Sequence, residues 1–247
     1  MRFCKDGTCY SSMSAISNSG DHARVFQATV NTTSGFGMYH WRQDSGGASK
    51  SIPHGLNQKP DFVVMKHTNN SSECMVHHSS INDPSKILYF TDDKSQDTSS
   101  DFGSSYPDDN VIHTNTTGVN GREVVICAWH NIEGLQKFGQ FYGTGNNDGA
   151  YVHLGFRPAV VVVKRLDSDG NWGVSDDAQN LWNKEWGSDV TVLLDLLNPS
   201  FTSSSLNVDL LSGGFKLRST NGSYNADGNR YAYCAWAKSG PFGSLGR

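Results

Sequence analysis

Apolar runs rich in β-branched residues, each ended by a basic residue, are the clearest pattern along the chain. Pro158 opens one such run, valines occupy positions 160–163, and Lys164 ends it. Proline lacks the N–H that a sheet ladder needs, so we expect Pro158 at a strand entrance. Because the run shows no polar alternation, it predicts a strand that is covered on both faces.

The same pattern occurs earlier, from Pro60 to Lys66, at a distance of 98 positions (60 to 158, and 66 to 164). Matching positions then drift further apart: Thr98 and Thr202 are 104 apart, and Cys127 and Cys234 are 107 apart (98 to 202, and 127 to 234). The chain is therefore interpreted as a duplication whose second copy carries insertions, the first of them opposite 79–87.

No segment shows a sustained helical period, and a repeat length near a hundred residues is too long for a solenoid or a propeller. The sequence predicts an all-β fold with two tandem β-sandwich-like repeats, 36–133 and 134–247, after a short N-terminal arm at 1–35. A plausible strand at 24–30 would tie this arm onto the first repeat. The alternative, an attachment segment that docks on a partner, stays open at this point.

Charge and composition exclude several classes of partner. The net charge of −4 provides no basic field for nucleic acid or an anionic membrane. No apolar stretch approaches the ~20 residues of a membrane span, and the N-terminus shows no apolar signal core. The 26 glycines and 18% charged residues suit short strands joined by tight turns, as on a secreted or virion surface.

The five cysteines indicate neither a metal site nor a disulfide framework. A bond between Cys4 and Cys9 could close a small hairpin, but nothing in the sequence indicates an oxidising compartment, so free thiols are favoured. Cys74 and His78 would share one face of a strand while His77 points to the other, which leaves too few ligands for zinc. We expect no metal and no cofactor.

Catalytic residues are also not predicted. Three adjacent carboxylate pairs, at 92–93, 108–109 and 176–177, could in principle be glycosidase acids or calcium ligands. Each lies in a turn-like segment, where Asp is favoured because it accepts backbone hydrogen bonds. We therefore interpret them as turn residues. Trp129 and Trp236, which end matching strands, are expected in the core.

Several longer motifs resemble a recurring unit of bacteriophage tail-fibre proteins. They are Ile-Pro-His-Gly-Leu at 52–56 with Pro-Asp-Phe-Val-Val-Met-Lys at 60–66, the aromatic and glycine-rich stretch 137–149, and the stretches 155–165 and 210–218. The resemblance covers about 36–236. It implies a non-enzymatic virion component, most often a tail-fibre or host-adhesion subunit, which would assemble in the host cytoplasm.

The same resemblance implies partners. We expect other copies of the chain, with a homotrimer favoured by analogy with elongated phage fibres, and other virion proteins contacted through the N-terminal arm. One alternative is a decoration or connector protein of the capsid or tail. The other is a tailspike-type enzyme that depolymerises glycans, motivated by the acidic pairs and aromatic residues alone.

A loop unique to the second repeat holds the predicted ligand-binding residues, which are Trp182 and Trp186, flanked by Asn180 and Asn183. Exposed aromatic rings can stack on sugar faces while amides bind hydroxyl groups, so a host surface glycan is the hypothetical ligand. The alternatives are that both tryptophans fold back onto the sandwich or lie at a subunit contact, because exposed tryptophan is costly.

Overall fold

The computed structural model describes residues 2–17, 19–20, 22–42, 49–69, 73–99, 105–115, 121–178, 190–195, 200–202 and 207–238. The chain forms two compact units, Met1–Tyr89 with Asp97–His130, and Phe90–Gln96 with Asn131–Arg247. Its regular structure is almost entirely β, as predicted. Within the described residues no helix is both long and apolar enough to cross a membrane.

The first unit has a nine-stranded sheet in the order β2-β1-β3-β4-β11-β6-β7-β8-β9 and a two-stranded sheet formed by β10 and β5. Pairing is antiparallel except between β1 and β3. The strands are β1 (Phe3–Lys5), β2 (Thr8–Tyr10), β3 (Val25–Asn31), β4 (Phe36–Arg42), β5 (Ser49–Pro53), β6 (Phe62–His67), β7 (Met75–His78), β8 (Lys86–Tyr89), β9 (Asp97–Thr98), β10 (Val111–Asn115) and β11 (Glu123–Trp129), with 3-10 turns at Met13–Ala15 and His22–Arg24.

The second unit has a six-stranded sheet in the order β12-β20-β14-β15-β16-β17 and a three-stranded sheet in the order β13-β19-β18. All of its strand pairs are antiparallel. The elements are β12 (Gln136–Tyr142), β13 (Tyr151–His153), β14 (Pro158–Arg165), β15 (Gly173–Asp176), β16 (Val190–Leu193), β17 (Ser200–Thr202), β18 (Val208–Leu211), β19 (Gly214–Leu217), the one-turn helix α1 (Gly222–Asn225) and β20 (Arg230–Ala237).

The strand registers confirm the duplication. Cys127 of β11 lies opposite Val64 of β6, and Cys234 of β20 lies opposite Val162 of β14. Lys86 likewise pairs with Thr98 as Val190 pairs with Thr202. The first insertion falls between β15 and β16, which correspond to β7 and β8, as the growing distance between matching positions predicted.

Both faces of the valine strand β14 are covered, which confirms the interpretation of its unbroken apolar run. Val161 and Val163 are fully buried in the core, and Val162 on the opposite face is 8% exposed. Lys164, on the face of Val162, is also fully buried. Its ammonium group donates to the carbonyls of Asp93 (2.8 Å) and Gly170 (2.7 Å). Burial lowers the Lys164 pKa to about 8, although nearby carboxylates oppose this effect.

The segment Phe90–Gln96 comes from the first repeat of the sequence but belongs to the second unit. Gly170 donates its N–H to the carbonyl of Asp93, and Ser95 donates its N–H to Asp169. The ring of Phe90 lies 4.6 Å from that of Trp172, measured between centroids. Lys164 and the 169–171 turn together hold this segment, so the two sequence repeats and the two structural units do not have the same boundaries.

The N-terminal arm is tied onto the first unit by a strand. β3 pairs with β4 from Val25 to Asn31, with a bulge near its start. The inward-facing side chains of Val25, Ala28 and Val30 join the core of this unit. Of the two interpretations of the arm, the structure therefore shows the tied-down strand for its described part.

Cys4 and Cys9 form a disulfide, with 4.0 Å between their Cα atoms, where the sequence favoured free thiols. The reason is local geometry. Asp6 and Gly7 both have positive φ values, 49° and 84°, which is the two-residue hairpin turn that an Asp-Gly pair favours. This turn places Cys4 directly opposite Cys9, which an argument from cellular compartment could not anticipate.

Trp129 and Trp236 are half-buried, so the expectation that both lie in the core was wrong. Side chains alternate along β11, and Val124, Ile126 and Ala128 are the ones that enter the core. Trp129 therefore points to the other face of the sheet. There its ring contacts Phe36 and Phe62, at centroid distances of 4.9 and 5.3 Å.

Candidate functional site

The four residues predicted to bind a ligand, Asn180, Trp182, Asn183 and Trp186, lie outside the described residues. The structure instead brings together polar residues of the N-terminal arm and of the Ile-Pro-His-Gly-Leu motif. This candidate site lies wholly within the first unit.

His54 braces the turn that follows β5. Its Nδ1 accepts the N–H of Leu56 at 3.1 Å, so the proton of the neutral ring lies on Nε2, which donates to the carbonyl of Asp108 at 3.0 Å. The backbone carbonyl of His54 accepts the hydroxyl of Tyr39 at 2.6 Å. Burial lowers the pKa of this fully buried histidine and keeps it neutral. The histidine of the motif is therefore a structural brace.

Gly55 lets the arm approach this turn. Its φ is +66°, a conformation that side chains disfavour. A Cβ added here would lie 2.7 Å from the carbonyl oxygen of Ile16. The motif thus needs glycine for two reasons, the turn itself and the close contact with the arm.

Between the β1–β2 hairpin and this turn is a cleft of about 430 Å³, which we call the hairpin cleft. Its volume lies within the range of ~300–1,000 Å³ that is typical of small-molecule sites. The hairpin cleft is lined by Lys5, Asp6, Thr8, Tyr10, Ala15, Ile16, Ser17, Gly55, Asn57, Asp109 and Asn110.

The hairpin wall of the cleft is held rigidly. Besides the disulfide, the carboxylate of Asp6 accepts the N–H of Thr32 at 2.6 Å and its hydroxyl at 2.9 Å. The N–H of Asp6 donates to the carbonyl of Val30. The wall is therefore fixed to the sheet at its tip as well as along its strands.

The chemistry of the cleft suits a ligand rich in hydroxyl groups. Lys5 donates to the side-chain oxygen of Asn57 at 3.1 Å, and Asp109 accepts the N–H of Lys59 with one carboxylate oxygen at 2.9 Å. Asn110 adds a further side-chain amide, and Tyr10 adds an aromatic ring that is 41% exposed. Amides, a carboxylate, an ammonium group and one exposed ring offer both donors and acceptors beside an apolar surface.

Sequence reasoning missed the hairpin cleft because its walls come from segments that share no motif. The Asp-Gly pair at 6–7 signalled the hairpin, and the positions of Gly55 and Asn57 signalled a special turn. Nothing in the sequence indicated that the two would face each other.

The predicted turn role of the carboxylate pairs is confirmed by hydrogen bonds. Asp92 accepts the N–H of Lys94, Asp108 accepts the N–H groups of Asn110 and Val111, and Asp176 accepts the N–H of Ala178. The first carboxylate of each pair thus closes its own turn, while the second carboxylate of the 108–109 pair instead accepts the N–H of Lys59.

The two histidines of β7 are likewise engaged in the fold. His78 accepts the N–H of Ser80 on Nδ1, and burial lowers the pKa of His77 to about 3. Within the described residues, no three His, Cys, Asp or Glu side chains come together as metal ligands.

A protein-family model described as "Domain of unknown function (DUF7483)" matches residues 9–240. Neither the search of curated proteins nor the search of solved structures returned a match. The family match spans both units and begins within β2. It therefore includes most of the residues that line the hairpin cleft, but not Lys5, Asp6 and Thr8.

We predict that Gly55→Ala loosens the arm more than Gly155→Ala does. Gly155, the corresponding glycine after β13, has a φ of +86°, but a Cβ there would meet nothing within 4 Å in the part of the chain that the structure describes. Both variants incur backbone strain of about 1–2 kcal/mol, and only Gly55→Ala also collides with Ile16. Hydrogen exchange at 13–17 should rise in Gly55→Ala alone, and equal exchange in the two variants would contradict the contact.

We also predict that acid weakens the first unit partly through His54. Its folded-state pKa lies below the unfolded value of about 6.5, so the unfolded chain binds more protons as the pH falls below that value, and stability falls with it. Each pH unit costs up to ~1.4 kcal/mol for one such group.

The matched variant for this test is His54→Gln, whose amide can donate from near the position of Nε2 but does not titrate. Thermal melting between about pH 7.5 and about pH 5, which brackets the unfolded histidine pKa of about 6.5, should show a smaller loss of stability in this variant than in the parent chain. The remaining loss is expected from His77. Identical pH profiles would exclude the role of His54.

Proposed function

We propose that this chain, which belongs to the DUF7483 family of unknown function, is a non-enzymatic structural protein of a bacteriophage virion. The proposal builds on its duplicated all-β fold and on the hairpin cleft. Its proposed role is that of a tail-fibre or host-adhesion subunit that binds a glycan of the host surface. The observation that carries the adhesion role is the rigid, polar hairpin cleft with its exposed tyrosine.

Two features support this proposal. The motifs that resemble phage tail-fibre units include β6 of the first unit and its counterpart β14 in the second, together with β12, β18 and β19 of the second unit. The cleft-lining carboxylates of Asp6 and Asp109 accept backbone N–H groups, which suits binding and positioning. The proposal includes assembly with other copies, as a trimer, and with other virion proteins.

A decoration or connector protein of the capsid or tail is the second candidate, since it would use the same β-rich units. Antibodies raised against the chain and applied to purified particles separate the two roles. Gold label at the distal end of the tail is expected for a host-adhesion subunit. Label on the capsid or neck would assign the connector role, and absence of the chain from particles would overturn both.

We predict that Tyr10→Ala reduces binding to host surface glycan without unfolding the chain. Tyr10 is exposed and lines the cleft, so its loss removes a ring that can contact a sugar face. Loss of one such contact is expected to weaken binding about tenfold, or ~1.4 kcal/mol. The measurement is binding of purified chain to immobilised host surface polysaccharide.

The matched control is Tyr151→Ala in the second unit, because Tyr151 is 50% exposed and lies outside the cleft. It should bind as the parent chain does, and both variants should melt at the parent temperature. Equal losses in the two variants, or none in either, would show that the hairpin cleft is not the glycan site. A reducing-end assay on the same polysaccharide should detect no cleavage, and products would favour the depolymerase alternative.

A further inference from the structure

Comparison of the two units shows what the N-terminal arm covers in the first one. β3 runs along the outer edge of β4, from Asn31 opposite Phe36 to Val25 opposite Trp41. In the part of the arm that precedes this strand, the backbone carbonyl of Ile16 packs against the turn at Gly55. The arm thus covers two neighbouring places, a sheet edge and a glycine turn.

Both places have counterparts in the second unit. β12 occupies the position of β4, because each pairs with the closing strand of its repeat. Gly155 follows β13 as Gly55 follows β5, and the two strands pair with the corresponding strands β19 and β10. Where a Cβ on Gly55 would collide with the arm, one on Gly155 would meet no atom of the described residues within 4 Å.

Among the described residues, only a short stub around Ile132 covers the start of β12. Ile132 forms a single bridge with Gln136, and the side chain of Asn131 accepts the N–H of Phe138. The residues just before the stub form β11, which pairs with β4 on one side and with β6 on the other. They are therefore not free to extend the stub as a strand along β12. The covering of the edge therefore ends near Phe138.

Beyond that point, from Gly139 to Tyr142, β12 pairs only with β20 among the residues that the structure describes. N–H and C=O groups alternate in direction along a strand. The N–H and C=O groups of Gln136 both hydrogen-bond to Ile132, on the side of β12 away from β20. The N–H and C=O groups of Gln140 and Tyr142 therefore also point away from β20. Both side chains are exposed, and Tyr142 is 56% exposed.

Beside the start of this edge is a second cleft, of about 370 Å³. It is lined by the stub, the first residues of β12 and the Gly155 turn, with Ile132 and Leu154 as its apolar members and Glu133, Lys137 and His153 as its charged or titratable ones. An open strand edge next to a partly apolar cleft is the arrangement that accepts an added strand.

We propose that the second unit binds an extended segment of another polypeptide, which adds as an antiparallel strand to β12 and fills the cleft beside Gly155. The segment that fits resembles the arm strand, with small apolar side chains at alternating positions, as Ala28 and Val30 have in β3. The chain's own β3 is not the occupant, because it is already paired along β4. The first unit supplies the internal template for this contact.

The test uses the full-length chain and a fluorescein-labelled peptide with the sequence of residues 24–33, the segment that this fold shows on such an edge. Gln140→Pro removes the outward N–H needed by an added strand, and proline is tolerated on an edge where its N–H would face outward. Gln140→Ala is the matched control, because it loses the same side chain but keeps the N–H.

Fluorescence anisotropy should show that the parent chain and Gln140→Ala bind the peptide, while Gln140→Pro binds it at least about tenfold more weakly, or ~1.4 kcal/mol. Hydrogen exchange should show new protection at Gln140 and Tyr142 when the peptide is present. Melting curves confirm that the variants are folded, and a Gln140→Pro chain that fails to fold is replaced by Tyr142→Pro.

Three results would overturn the proposal. The first is that the parent chain does not bind the peptide at concentrations up to ~1 mM, because a Kd of ~1 mM corresponds to a binding free energy of only about −4 kcal/mol. The second is peptide-free dimerisation that Gln140→Pro abolishes, which would assign the edge to a second copy of β12. The third is binding only after deletion of residues 239–247, which would assign it to the chain's own C-terminal segment.

Discussion

The closing strand of each repeat, β11 in the first unit and β20 in the second, is hydrogen-bonded on both sides to strands that lie far earlier in the sequence. A register slip of one residue would turn the core-facing side chains of this strand towards the opposite face. Because Ile126 and Tyr233 must point inward, the register is fixed in both units. The arm, the turns and the hairpin cleft all depend on this placement.

The two units keep the register while exchanging the residues that fill it. In the first unit Tyr39 on β4 lies opposite Ile126 on β11, and in the second Gly139 on β12 lies opposite Tyr233 on β20. A Cβ on Gly139 would lie 2.7 Å from the hydroxyl of Tyr233. A large ring is thus retained at this position of the strand pair, but it comes from the other strand. Cores tolerate such exchanges when total volume and patterning are kept.

Most of the fold could be predicted from the sequence, because the apolar runs predict the strands and the matching positions of the two repeats reveal the duplication. The offset between Pro60 and Pro158 gave the equivalence of β6 and β14, and the matching cysteines gave that of β11 and β20. The structure then shows that these strands pair in the same register in both units. The half-buried position of Trp129 was missed because residue type alone does not say which face of a strand is the core. Alternation from Ile126 would have corrected it.

The candidate site was much less predictable. Its walls come from the hairpin at Cys4–Cys9 and from the turn at Gly55, and only the folded chain brings these together. The disulfide follows from the Asp-Gly turn geometry. This signal is present in the sequence, but the prediction of free thiols rested on the lack of any indication of an oxidising compartment. The predicted ligand loop around Trp182 and Trp186 stays a hypothesis, since it lies outside the described residues.

The position of Phe90–Gln96 has a consequence for the order of events during synthesis. These residues leave the ribosome between two strands of the first unit, but the strand and turn that hold them, Lys164 with Gly170, belong to the second repeat. At ~5–20 residues per second, the segment must wait several seconds for that strand and longer for β20. During this interval Phe90 has no ring of Trp172 to cover it, so a nascent first unit carries an apolar side chain that a chaperone or a neighbouring nascent chain can contact.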